Sequence, residues 1–206
     1  EIENEVLDDS VPSVQALLDG HIATMLALKL DRSIFTGNPA ADPDSIRGLK
    51  FTTGVQEIVV GTGNGDALDN YDVFIRAIGM LRDANVPGPY AIAAPGRVLT
   101  DLELLKEETG SSKQLGAPAG LPPFYVSSQL PTDEATGTSS DTASAYVLAP
   151  AQFHVINRLD AEILLDRSRL FHMDMSEIRA KLRVDFASPN PQAAVRIRGI
   201  RPAGAT

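Results

Sequence analysis

Apolar residues recur at helical spacing from Val14 through Leu17, Leu18, Ile22, Met25 and Leu26, the repeat of one helix face. Ser10 supplies a cap and Pro12 a first-turn proline ahead of it, and Gly37-Asn38-Pro39 stops it after Phe35. The pattern predicts a helix of about 24 residues, about 36 Å long at 1.5 Å per residue. That is about twice the mean helix length, which marks it as a structural spine. Residues 38–54 read as a turn-rich loop and residues 55–60 as a short strand. A second helix is expected over Val73, Phe74, Ala77, Ile78 and Leu81, capped by Asp69 or Asn70 and ended before Pro87-Gly88-Pro89. Residues 90–94 form a buried-type strand, residues 97–107 a third helix closed by Gly110, and residues 124–126 another strand. The Ser/Thr/Asp/Gly tract of residues 131–142 is expected to be a mobile surface loop. Short strands resume at 146–148 and 155–156. Residues 158–167, 178–186 and 194–197 then read as strand, polar turn, long strand, break and closing strand. Helices early and strands late give an α+β fold in two lobes.

Charge changes this picture more than composition does. The 206-residue chain carries a formal net charge of −9 from 18 Lys/Arg and 27 Asp/Glu. Residues 158–206 hold 9 of the cations but only 6 of the acids, a net of +3 against −12 for the rest. An acidic protein with a basic end is a poor sequence-specific DNA binder. Opposite patches on identical copies can meet, so self-association is one reading of the asymmetry. Solvation of strand faces is the other. There is no cysteine, which removes disulfides, thiolate metal sites and thiol catalysis. No apolar run reaches the roughly 18–20 residues that cross a bilayer.

Candidate chemistry is sparse. Gly61-Thr62-Gly63-Asn64-Gly65 follows a strand and precedes a helix, but Asp66 stands where a dinucleotide loop needs its third glycine. Asn64, Asp66, Asp69 and Asp72 recur at near-threefold spacing rather than the alternate spacing of a calcium loop, and suit a helix start instead. His21, His154 and His172 are the only histidines, and no two are spaced for a helical zinc site. No Gly-x-Ser-x-Gly elbow occurs. These patterns imply no catalytic residue, no cofactor and no metal. What remains is a long helix, charged strands, glycine-rich loops and an uneven charge.

Several segments, in order, resemble one family. They are Asp31-Arg32-Ser33-Ile34-Phe35-Thr36-Gly37-Asn38 at the end of the spine, Arg47-Gly48-Leu49, and Ala93-Ala94-Pro95 followed by 104–110. After them come Gly120-Leu121-Pro122-Pro123-Phe124-Tyr125-Val126-Ser127-Ser128-Gln129-Leu130-Pro131 and the ending from Arg158 to Ile197. Together they resemble the major capsid proteins of tailed bacteriophages, the Hong Kong ninety-seven fold. The resemblance implies a peripheral-type lobe from residues 1–54 and 158–187, with the spine helix and long antiparallel strands. It implies an axial-type lobe from residues 55–157 and 188–206. It also implies an amino-terminal arm and an extended hairpin loop that this sequence does not carry. The expected function is structural: copies form pentamers and hexamers of an icosahedral head that encloses DNA. The implied partners are the protein itself, packaged DNA through non-specific contact at most, and scaffold, maturation protease and portal, with no membrane. The implied location is the virion, with assembly in the bacterial host cytoplasm. Arg167, Arg169, Glu177 and Arg179 are expected at subunit contacts. Two alternatives remain: an encapsulin-type compartment shell, or a nucleotide-binding α/β enzyme using the 61–65 loop.

Overall fold

The hydrophobic periods become elements along most of the chain in the computed structural model, which describes residues 2–3, 14–108 and 112–204. The order is β1 (Ile2–Glu3), α1 (Val14–Thr36), β2 (Gln56–Val59), α2 (Asp72–Asp83), β3 (Ala91–Ala94), α3 (Gly96–Glu103), β4 (Phe124–Val126), β5 (Glu134–Thr136), β6 (Ser139–Leu148), β7 (His154–Asp166), β8 (Met175–Ala187) and β9 (Ala194–Ile200). The expected start of the spine at Ser10 and Pro12 lies outside the described residues, as does Gly110. The fold is mixed helix and strand, as the α+β reading has it.

The chain forms two compact units. One comprises Glu1–Asp31 and Val155–Phe186, the other Arg32–His154 and Ala187–Thr206. The first unit holds a three-stranded sheet in the order β1-β8-β7. β1 runs antiparallel to β8, with Ile2 opposite Ser176 and Glu3 opposite Met175.

The second unit is built on a six-stranded sheet in the order β2-β9-β6-β3-β4, with β5 added to β6. β6 pairs antiparallel with β3 and β9, whereas β2–β9 and β3–β4 are parallel. In register, Val147 of β6 lies between Ile92 of β3 and Val195 of β9, and Ile58 faces Ile197. α2 supplies Phe74, Ala77, Ile78 and Leu81, a one-face helical repeat, and all four are buried. α3 adds Val98 and Leu102. These side chains join Ile92, Val147, Val195 and Ile197 in one apolar cluster. Each large side chain buried there is worth about 1.5–3 kcal/mol. The Phe74 ring meets Phe124 edge-on at 5.4 Å, and Phe35 at the end of α1 packs on Tyr146 at 5.1 Å.

Two segments depart from the sequence reading. α3 ends at Glu103, not near 107. Leu105 accepts from Leu115 N at 2.8 Å and Glu107 N donates to Lys113 O at 3.1 Å, so the chain turns back into a short antiparallel bridge. The helical propensity of Leu-Lys-Glu-Glu yields to that pairing. The tract at 131–142 is no loose loop: it forms β5 and the start of β6, turning at Gly137 and Thr138. Glu134, Thr136 and Thr142 are buried there. The Thr136 and Thr142 hydroxyls lie 2.9 Å apart, and Thr142 donates to Glu134 O at 2.7 Å. A hairpin that satisfies its own polar groups can be buried without penalty.

Candidate functional site

The glycine loop at 61–65 is committed to packing. Gly61, Gly63 and Gly65 all adopt positive φ. A Cβ on Gly65 would strike the Gly199 carbonyl. Asp66 N donates to Gly199 O at 3.0 Å and Arg201 N donates to Asp66 O at 2.9 Å. Asn64 Oδ1 accepts from Thr138 N at 3.1 Å. The loop is therefore stitched to the end of β9 and to the β5–β6 turn, and α2 begins only at Asp72. Its amides do not form the cradle at a helix start that holds a phosphate. Among the described residues no three His, Asp or Glu side chains converge as a metal site.

The densest polar constellation lies in the second unit, around Glu134. Lys50 Nζ sits 2.6 Å from Glu134 Oε1, and Arg196 Nη2 sits 2.8 Å from Oε2. Ser144 Oγ donates to the same Oε2. Arg196 also reaches Glu57 at 3.2 Å, and Arg198 contacts the other Glu57 oxygen at 3.1 Å. Burial pushes the Glu134 carboxyl up, but the hydrogen bonds from Lys50 and Ser144 and the charges of Arg196 and Lys50 outweigh it. The group is held below the usual carboxylate range and stays ionised. This network ties the 49–51 turn to β5, β6 and β9. Sequence reasoning missed it, because Glu134 sits alone in a Ser/Thr tract 84 residues from Lys50.

The first unit carries the residues the sequence singled out. Arg169 Nη1 contacts Glu177 Oε1 at 2.9 Å and Oε2 at 2.7 Å, so those two side chains pair within the chain. Arg167 lies on the β7–β8 connection, and Arg179 is exposed on β8. Residues 177–186 of β8 alternate strictly between charged and apolar. On β8, Ile178, Ala180, Leu182, Val184 and Phe186 take one face, and Glu177, Arg179, Lys181, Arg183 and Asp185 the other. On β7, Arg158, Asp160, Glu162 and Asp166 share a face.

Apolar burial is divided unequally. Every buried hydrophobic residue among those described belongs to the second unit. In the first unit Leu17 is 62% exposed, Met25 69% and Phe171 84%, with Val155, Ile156 and Leu164 also exposed. α1 carries Leu or Met on more than one side, yet none of its described residues is fully buried. Exposed apolar surface on this scale marks an interaction face.

One unit has a finished core, and the other exposes apolar helix residues and charged strands, the marks of a chain that associates through its surface. The phage capsid family model matches residues 1–199, and the chain belongs to that family. Solved structures of similar fold include the capsid of an empty GTA particle, at 16% identity and TM-score 0.73, with 97% of this chain and 70% of that chain covered. A chain of Mycobacterium phage Ogopogo gives 19% identity and TM-score 0.68 over 95% of this chain and 72% of that one. The holo-SrpI encapsulin complex from Synechococcus elongatus gives 12% identity and TM-score 0.64 over 100% and 73%. No curated protein matches the sequence.

Proposed function

We propose that this chain tiles the icosahedral head of a tailed bacteriophage or prophage, as pentamers and hexamers around packaged DNA. Family membership sets the class, and the uncovered apolar surface of the first unit carries the reading. Such surface has no role in an isolated chain and is stabilising once neighbours cover it. Many weak contacts repeated around rings and between rings then add up to a stable shell. The unit with the long strands acts as the peripheral-type lobe and the unit with the mixed sheet as the axial-type lobe. Arg167, Arg169, Glu177 and Arg179 contribute to subunit contacts. The protein works without catalysis. Its location is the virion after assembly in the host cytoplasm, with scaffold, maturation protease and portal as assembly partners. DNA contact is non-specific at most, since the chain carries a net charge of −9.

An encapsulin-type shell is the second reading, favoured by the likeness to the Synechococcus complex. Expression of the complete polypeptide, light scattering and electron microscopy test both. Rings or shells are expected. A strict monomer at high concentration overturns the shell reading, and particles filled with a co-purifying protein cargo favour the encapsulin.

A further inference from the structure

The charged faces of β7 and β8 have opposite signs and matching spacing. On β8, Glu177 is taken by Arg169, and Asp185 Oδ1 accepts from Phe186 N at 2.8 Å. That leaves Arg179, Lys181 and Arg183 as an uninterrupted cationic strip. On β7, Asp166 Oδ1 accepts from Ser168 N at 2.8 Å and from Ser168 Oγ at 2.6 Å. That leaves Asp160 and Glu162, both exposed, as adjacent free carboxylates. β7 and β8 are neighbours in one sheet. Even so, among the described residues none of these five side chains has an ion-pair partner in its own chain.

We propose that the cationic strip of β8 on one copy receives Asp160 and Glu162 of β7 on the next copy, as a head-to-tail contact. This inference rests on the shell reading and names the surface through which it operates. Alternate residues on a strand lie about 6.7 Å apart, so two carboxylates at period two can each meet a cation at period two. An antiparallel approach that sets Asp160 against Arg183 sets Glu162 against Lys181, and it brings Arg158 against Asp185. All three pairs are then of opposite charge. Setting Asp160 and Glu162 of one β7 against the same pair of another opposes carboxylates, and setting the β8 strip against itself opposes cations, so these two groups find complementary charge only in each other. The joint is therefore heterologous, the kind that closes into rings when its rotation allows. β7 is an edge strand of its sheet, which leaves it reachable. A polyanion suits the strip less well, because the acids of Glu177 and Asp185 bracket it.

The experiment is a charge swap read by assembly of the complete polypeptide, with wild type as the control for the shell reading itself. One variant carries Arg179→Glu, Lys181→Glu and Arg183→Glu; the other carries Asp160→Lys and Glu162→Lys. Each alone is expected to lose the assembled fraction, and an equal mixture to recover even-numbered rings such as hexamers, in which the variants alternate and each supplies the sign the other lost. Wild-type assembly with unimpaired single variants overturns the contact and leaves the shell reading standing. Recovery only when both swaps lie in one chain, and not in the mixture, overturns it in favour of pairing within the chain. Normal assembly with less bound nucleic acid overturns it in favour of DNA. Should the swapped chains misfold, Lys181→Gln with Arg183→Gln is expected to flatten the salt dependence of assembly, and an unchanged dependence overturns the proposal.

Discussion

At the scale of single residues, Glu134 decides the most. Its carboxylate bridges Lys50 and Arg196 in a site that excludes most water. Glu134→Gln leaves both cations facing an amide, and removing one partner of a buried pair costs more than the pair is worth. Lys50 and Arg196 keep some solvent contact, so the expected loss is about 2–3 kcal/mol, below the full buried-pair figure. A shifted urea midpoint at neutral pH measures it. The sign of the pH effect follows from the lowered folded value. A carboxyl that binds its proton more weakly when folded contributes stability above its ordinary value of 4.5, and that contribution fades as pH falls through the lower folded value. The wild type should therefore lose its advantage over Glu134→Gln below about pH 4.5. A gap that stays constant from pH 7 to about pH 3 sinks this account. Gly65 makes a backbone argument of the same size. Its φ is 79° and a side chain there meets the Gly199 carbonyl. Gly65→Ala should cost about 1–3 kcal/mol.

Elements show where local pattern suffices and where it fails. α1 and α2 were legible because periodicity within their own spans decides them, and β3 because its short run of apolar residues is buried on both faces. α2 presents Phe74, Ala77, Ile78 and Leu81 to one sheet, and nothing distant is needed to place that face. The end of α3 and the β5–β6 hairpin were not legible, since partners far along the chain decide both. Glu134 belongs in a strand only because Lys50 and Arg196 reach it, and those cations lie 84 and 62 residues away. The same holds for the parallel pairs β2–β9 and β3–β4, whose strands are widely separated in sequence. The charged strands of the last third were legible as strands. Which of their charges stay free was not, because Arg169 and Ser168 had first to take Glu177 and Asp166. The hairpin yields its own test. Thr142→Val keeps the shape but removes the donor to Glu134 O and orphans the Thr136 hydroxyl. The expected cost is about 1–3 kcal/mol for the unmet polar groups. Limited proteolysis should cut residues 131–142 in the variant and spare them in the wild type. Equal cleavage in both would return the segment to the mobile loop its composition suggests.

At the scale of the whole molecule, the two units differ in what holds them. The second unit buries Phe74, Leu81, Ile92, Leu102, Tyr146 and Ile197 completely, around a β6 strand paired on both sides. The first unit has long backbone ladders, but among its described residues Ser176 alone is fully buried. Hydrogen-bonded strands without an apolar lid open locally at low cost, because little surface returns to water when they do. Amides of residues 14–31 and 155–186 in the unassembled chain should therefore exchange with deuterium well before those of β3, β6 and β9. In assembled particles the same amides should approach the protection of the core, because neighbouring copies supply the missing cover. The size of that change measures how much of the first unit's stability belongs to the shell rather than to the chain. Equal protection of both units before assembly would mean that the first unit is self-sufficient. Its exposed Met25 and Phe171 would then need another explanation.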